Sequence, residues 1–571
     1  MTNGVYDLFY CTNLLPAIAW RWLLRTDAGQ TNLIVPNATD PQGFYRLGPP
    51  DDLAANDSLG TNFWVGFCNL YHDNSNHLSL YISSPVGATG TVTTPGLGTN
   101  GPVLVVTNAG HTEVNGTYAL TNMTGQVLVD WTNNYPYGVP EFSYEKGTNW
   151  VVYSEAYKYW FMIEYDGGTG DFTFLYSRYN NVNLNGSGAD WSSYDGSSSP
   201  TTVCAQIPFS RSFILAAGAV TNISLLPNAM MTDYDVVKTN GIHVTASRPV
   251  SVYGLDYDQY ATAAFTAYPV PLLGTNYCVM ARAAYVGDGN SQLAIVATAD
   301  NTTVTITPSP TANLAGSLWT NSFTLQQGGM CQIQSRDYLG DVTGTWIASD
   351  KPIAVFAGAF LADVPDGGTP AANPLVQEQL PVNIWGRQVL ALSFAGRFNG
   401  DTYRVLAAYS NTVVTIATTN GTTVMTNQAG EFYEAVLDGP VEFQGSQPIQ
   451  VAQFANGTYS DSQLGDPCEI LLPPTGHYLM TNTVVTPIYS PGFDENYLNL
   501  IIAQSAITNT LVDGSHIPAT NFVAIGTSGY FGAQISVTNG VHRVSSSQPV
   551  EVQVYGFGDA DAYSYFGGVV K

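Results

Sequence analysis

A chain of 571 residues has room for about three to five domains with real hydrophobic cores. Charged residues make up 11% of it, against roughly 25% in ordinary globular chains, and hydrophobic residues 45%. That balance excludes intrinsic disorder and leaves the polar surface to Thr, Asn, Ser, Gln and Gly. The net charge of −26, reached with 17 Lys and Arg, excludes the basic patches that nucleic acid and anionic membranes require.

Val, Ile, Thr and aromatic residues dominate the apolar runs, and Gly and Pro interrupt them at short intervals, so the fold class is all-β. Residues 1–50 begin without a basic, apolar leader and read as a strand pair with a Pro-rich exit, Leu47-Gly-Pro-Pro50, the C-terminal part of a small β module. No stretch is long and apolar enough to span a bilayer as a helix.

From there a block recurs about every hundred residues. Ser247-Arg-Pro-Val-Ser-Val-Tyr-Gly254, Ser349-Asp-Lys-Pro-Ile-Ala-Val-Phe-Ala-Gly358, Ser446-Gln-Pro-Ile-Gln-Val-Ala-Gln-Phe454 and Ser547-Gln-Pro-Val-Glu-Val-Gln-Val-Tyr-Gly556 each join a Pro-containing turn to a β-branched run. That is how a buried strand is expected to begin. Each copy opens on a Gly ahead of an apolar strand: Gly60, Gly274, Gly386 and Gly476. Six or seven short strands per copy predict tandem β-sandwich repeats, with a radial, β-propeller-like arrangement as the alternative. The repeats are predicted at 51–99 plus 206–262, 263–372, 373–464 and 465–571. The segment 100–205 makes the first copy too long, and it is rich in Trp and Tyr. It reads as a small inserted β-domain, tolerated at an exposed loop.

These segments resemble the N-terminal domain family of IgGFc-binding protein, in the form borne by bacterial surface proteins. Beyond the repeated blocks, the resemblance rests on Asp300-Asn-Thr-Thr-Val-Thr-Ile-Thr-Pro308, Glu378-Gln-Leu-Pro381 with Trp385-Gly386, and Asp401-Thr-Tyr-Arg-Val-Leu406. Gly430-Glu-Phe-Tyr433, Gly465-Asp-Pro467 and Val554-Tyr-Gly-Phe-Gly558 complete it, over about Gly60 to Gly568. The resemblance implies an extracellular, non-enzymatic binding or adhesion module, and the composition reads as that of a secreted chain whose signal peptide is absent from this fragment. It carries over no ligand residues, and the aromatic insertion departs from the family pattern.

The chemistry of the remaining residues agrees with a non-enzyme. The seven histidines are scattered, and there is no HExxH, no GxSxG elbow, no phosphate loop and no dinucleotide fingerprint. The expected cofactor set is empty. Calcium is admitted by the Asp–Gly loops Asp166–Asp171, Asp363–Gly368 and Asp559–Asp561, although turn formation alone accounts for such residues. Six cysteines allow fifteen pairings, and Cys278 with Cys331 is the pair to test first.

Ligand contact is expected from Trp131, Trp150, Tyr157 and Trp191 of the insertion, which stand among turn residues. Flat aromatic faces stack on sugar rings, so the expected partner is a glycoprotein, mucin or polysaccharide. Trp160, inside Tyr159-Trp-Phe-Met-Ile163, reads as core. The alternative function is a structural subunit that self-associates through β-strand edges into a fibre or surface layer, with the strand around Val5–Tyr10 offering the edge. A carbohydrate-active enzyme ranks third.

Overall fold

The computed structural model describes residues 58–72, 77–107 and 201–570 apart from 286, 288, 321, 366–370, 461–463 and 488–491. It also describes Ala109, Asn115 and the strands within 1–57 and 116–200. The chain is all-β and divides into two compact units. One comprises 1–92, 211–225 and 230–571, and the other 93–210 with 226–229.

In the first unit, four curled sheets are built to one plan. Each is organised on a long strand: Ile242–Tyr257, Trp346–Asp363, Pro440–Phe454 and Gly540–Gly558. Its first half pairs with the opening strand of the copy, and its second half with an inner strand that follows it. In the second copy the opening strand Gly274–Cys278 pairs at Ile353 to Trp346, and the inner strand Ala372–Glu378 pairs at Phe356 to Asp363. The Pro-containing segments therefore lie within long strands and do not begin them. In all four copies the register against the opening strand shifts beside these segments. Proline has no N–H for a ladder, so it is tolerated where the ladder is already broken by a bulge.

The bulge is held by a side chain. Ser247 Oγ accepts the Thr89 N–H at 3.0 Å, Asp350 Oδ1 the Thr303 N–H at 2.7 Å and Ser446 Oγ the Val413 N–H at 2.9 Å. In the fourth copy Thr510 Oγ1 donates to Ser546 Oγ at 2.9 Å. Beyond the bulge, burial is nearly continuous. Before it, the outer strands alternate: in Thr302–Thr307, Val304 and Ile306 point to the core, and Thr303, Thr305 and Thr307 to solvent.

The four inner strands, Ala263–Ala267, Ala372–Glu378, Glu469–Leu472 and Asp561–Phe566, contact one another in cyclic order. The relation among the sandwich-like repeats is therefore radial, around a common centre. The ring closes where the last copy meets the first. Ser58 N–H donates to Val569 O at 2.5 Å, Val569 N–H to Ser58 Oγ at 3.0 Å, and Tyr253 OH to Gly567 O at 2.8 Å.

The glycines that open three of the copies are explained by close approach. A Cβ on Gly60 would lie 2.2 Å from Pro269 Cβ, on Gly274 2.5 Å from Pro381 Cβ, and on Gly386 2.3 Å from Pro474 Cβ. Each proline follows the inner strand paired to that copy's long strand, a few residues past the predicted end of the copy, so the glycine lets the copy close on itself. Gly386→Ala should cost about 2 kcal/mol, as overpacking against a rigid ring does. A urea midpoint unchanged from wild type would contradict this account.

Two further sequence expectations differ from the structure. Cys278 and Cys331 are both free and buried. Cys278 lies opposite Trp346 on the opening strand, and Cys331 lies opposite Ile295 and Val237, so the two strands are not neighbours. The N-terminal residues form three strands and not two, with Asp7–Cys11 between Arg21–Arg25 and Phe44–Gly48.

The second unit is an antiparallel meander. The strands Gly116–Thr121, Phe142–Lys146, Asn149–Ser154, Tyr159–Asp166 and Asp171–Tyr179 pair in succession, with Ser192–Ser193 at the end.

Candidate functional site

Two sets of residues in the first unit carry chemistry: a polar hub where the inner strands meet, and a pair of loops that hold apolar side chains in solvent.

The hub is made from amides and carboxyls on strands that are buried over nearly their whole length. Gln377 Nε2 reaches the carbonyls of three other inner strands, Ala264 O at 2.9 Å, Glu469 O at 2.7 Å and Ser564 O at 3.4 Å. Asn373 Nδ2 donates to Thr262 O at 3.2 Å and Ala562 O at 3.0 Å. Asp561 accepts the Thr262 hydroxyl at 2.6 Å and the Thr262 N–H at 2.9 Å. Backbone groups on adjoining sheets are left without ladder partners, and these side chains satisfy them.

Burial raises the proton affinity of the acids there. Asp561 is pushed up to about 7, against the hydrogen bonds from Thr262 and Ala562 that lower it. Burial pushes Glu469 to about 8, with Arg404 and Arg282 pulling the other way. The void at this junction, bounded by residues such as Thr262, Gln377 and Ser564, is small. The hub is a scaffold element that joins four sheets.

The exposed loop residues are 395–400, between the opening strand Gly386–Leu392 and the strand Asp401–Ala407 of the third copy, and 455–460 with 464–466, between its long and inner strands. Arg397, 7% exposed, joins them. Its Nη1 donates to Leu464 O at 2.7 Å, its Nη2 to Asn456 O, and its guanidinium lies 5.1 Å over the Phe557 ring. Asn399 Nδ2 donates to Ser460 O.

The first loop turns on Gly396 and Gly400, both at φ +76°. A Cβ on Gly400 would meet Leu437 O at 2.5 Å, so glycine is required there on two counts. The loop is fixed at its ends by the Ala395 N–H to Tyr555 OH, 2.9 Å, and the Phe394 N–H to Asp401 Oδ2, 2.8 Å. Burial pushes Asp401 up to about 7. It also pushes Asp466 to about 7, against the pull of Arg397.

What these anchors present is apolar. Phe398 is 70% exposed, Tyr459 63% and Leu464 42%. Large side chains on loops fixed by a buried arginine give a preorganised contact surface, with Asn399 and Ser460 at hand for hydrogen bonds.

Trp150, expected to contact ligand, lies on the strand Asn149–Ser154, opposite Glu145 and Ile163. Trp131, Tyr157 and Trp191 lie outside the described residues, as does the side chain of Trp160. The Phe398 loops were not singled out by sequence. The available signal was Gly396-Arg-Phe-Asn-Gly400, an aromatic residue between two glycines in a turn.

One carboxylate–histidine pair occurs in the fourth copy. His542 Nδ1 is 2.7 Å from Asp513 Oδ2, and its Nε2 is 2.7 Å from Thr538 O. The second nitrogen, which would face a nucleophile in a triad, faces a backbone carbonyl. Among the described residues no helix is long and apolar enough to cross a membrane.

A ring of sandwich-like sheets presenting fixed loops is the framework of an all-β binding protein. The chain belongs to the IgGFc binding protein family, whose model matches residues 263–556, the second to fourth copies. A human IgGFc-binding protein is 24% identical to it over 306 residues, covering 52% of this chain. The chain spans only 5% of that relative's length.

Proposed function

We propose that this chain is an extracellular, non-catalytic adhesion protein that recognises a glycoprotein, mucin or polysaccharide through its β-domain surfaces. We place it in a bacterial surface protein. The observation that carries the reading is the fixed, exposed set of Phe398, Tyr459 and Leu464 held by buried Arg397. Aromatic faces of this kind stack on sugar rings at low entropic cost. The aromatic insertion, with Trp131, Trp150, Tyr157 and Trp191, supplies a second candidate surface of the same chemistry. The family supports binding as the activity.

A glycan and mucin array that includes immunoglobulin Fc tests the reading. The probes are the full chain, the Phe398→Ala/Tyr459→Ala double variant and a chain lacking residues 100–205. Loss of signal of about tenfold or more in the double variant places recognition on the Arg397 loops, since truncating central aromatic anchors costs about 2 kcal/mol. Loss only on deletion moves it to the insertion. Silence from the full chain overturns the reading. Repeating the array with calcium and with a chelator decides whether the Asp–Gly loops take part.

A further inference from the structure

A sheet edge is a row of unpaired N–H and C=O groups, and proteins that stay monomeric shorten, charge or cover it. Nearly every described edge here is treated in one of these ways. Val237–Lys238, Ser515–His516 and Val523–Ala524 are two residues long, and Phe323–Leu325 is three. Arg21–Arg25 carries arginine at both ends. Phe432–Leu437 contains Glu434, which is engaged by two arginines, and Ala219–Ser224 is partly covered, its Val220 packing on a core.

The edge strand Gly421–Asn427 of the third copy has none of these protections. It is seven residues long, pairs on one side with Thr412–Thr418 and is exposed over most of its length. No charged residue and no proline lies between Arg404 and Glu431. Val424 is 62% exposed, and Val413, two strand positions away on the neighbouring strand, is 40% exposed.

We infer that this edge is a self-association site, in which the strand Gly421–Asn427 pairs antiparallel with the same strand of a second copy of this chain. The sequence around Val424, Thr422-Thr-Val-Met-Thr426, reads nearly alike in both directions. An antiparallel pair centred on Val424 sets Val424 against its own mate and Thr422 against Thr426, matching β-branched side chains on one face. A two-fold axis demands such self-complementarity. The N-terminal strand expected to offer an edge is paired on both sides, at Asp7–Cys11. A seven-residue ladder buries less than a standard interface, so the dimer is weak and concentration-dependent. Self-association at this edge goes beyond the proposed ligand binding and does not depend on it.

Sedimentation velocity on the full chain, from about 1 to about 200 µM, should show monomer passing to dimer, as a micromolar constant requires. Val424→Lys, at an exposed position, should keep the far-ultraviolet spectrum and weaken the dimer by about tenfold, through facing like charges. Val424→Cys under mild oxidation should give a covalent dimer, while Val436→Cys, exposed on the opposite edge of the sheet, should not. A wild-type chain that stays monomeric over this range overturns the inference. So does equal cross-linking of both cysteine variants, and so does a monomer that takes up a synthetic Thr/Val-rich strand but not its own copy.

Discussion

Replacing Arg404 with alanine should cost about 3–5 kcal/mol of stability, the range for removing one partner from a buried ion pair. Arg404 stands on the strand Asp401–Ala407 of the third copy and reaches into the second. Its Nη1 lies 2.7 Å from Asp341 Oδ2 and donates to Ala281 O at 2.7 Å and to Thr343 Oγ1 at 2.9 Å. Its Nε and Nη2 both reach Glu434 Oε2, at 2.9 and 2.8 Å, and the guanidinium sits 4.0 Å over the Phe432 ring. Arg282, fully buried, meets the same Glu434 oxygen at 2.7 Å.

Alanine at 404 would leave Asp341 buried without the charge that holds its carboxyl below the usual range. It would also leave Glu434 to Arg282 alone. Lysine should recover only part of the loss, because an ammonium cannot serve Asp341 and Glu434 from one planar fork. The check is urea denaturation of both variants. A loss below about 1 kcal/mol for alanine, the level of an exposed pair, would show that the two repeats are held by apolar contact instead.

The periodic part of this architecture was open to reading because its causes are local. Alternation in Thr302–Thr307, the opening glycines and the Pro-containing bulges all leave marks within a few residues. What the bulges do was not readable, since a strand's partners lie elsewhere in the chain. Pro352 looks like the start of a strand until Trp346–Ala348 is seen to pair with Asn276–Cys278 before it.

The inner strands were hidden for a related reason. Pro374-Leu-Val-Gln-Glu-Gln379 reads as a half-polar strand, yet Gln377, Glu378 and Gln379 are at most 5% exposed. Their burial is tolerated only because Gln377 finds carbonyls on three strands that are remote in sequence. The Phe398 surface was hidden too, because exposure of an aromatic depends on the loop that carries it, and Arg397 fixes that loop through residues 59 and 67 positions away.

The same buried carboxyls make stability depend on pH in an unusual direction. Glu469 and Glu551 titrate near 8 and Asp401, Asp466 and Asp561 near 7 in the folded chain, in each case chiefly through burial. Asp256 and Glu378 are raised in the same way. In the unfolded chain all of them titrate at about 4. A raised folded value means that the native state binds protons more tightly than the unfolded one. The contribution is then fully present below about pH 4 and is lost as pH rises through about 7 to 8.

Half-buried His243 and His477 oppose this, since their lowered values favour the native state at higher pH. Their effect is confined to pH below their unfolded value of about 6.5. Asp341, held low by Arg404, acts only near and below its unfolded value of about 4. Between about pH 6.5 and 8 the raised carboxyls therefore act alone among these groups, and the urea midpoint should fall steadily across that window. Each group contributes up to about 1.4 kcal/mol per pH unit. Glu551→Gln should make the fall shallower by roughly one proton, because an amide at that position has no proton to release. Alkaline sensitivity of this kind follows from burying carboxyls away from the water that would stabilise their ionised form. A midpoint that is level or rising from about pH 6.5 to 8 would mean that the acids of the ring are ionised in place.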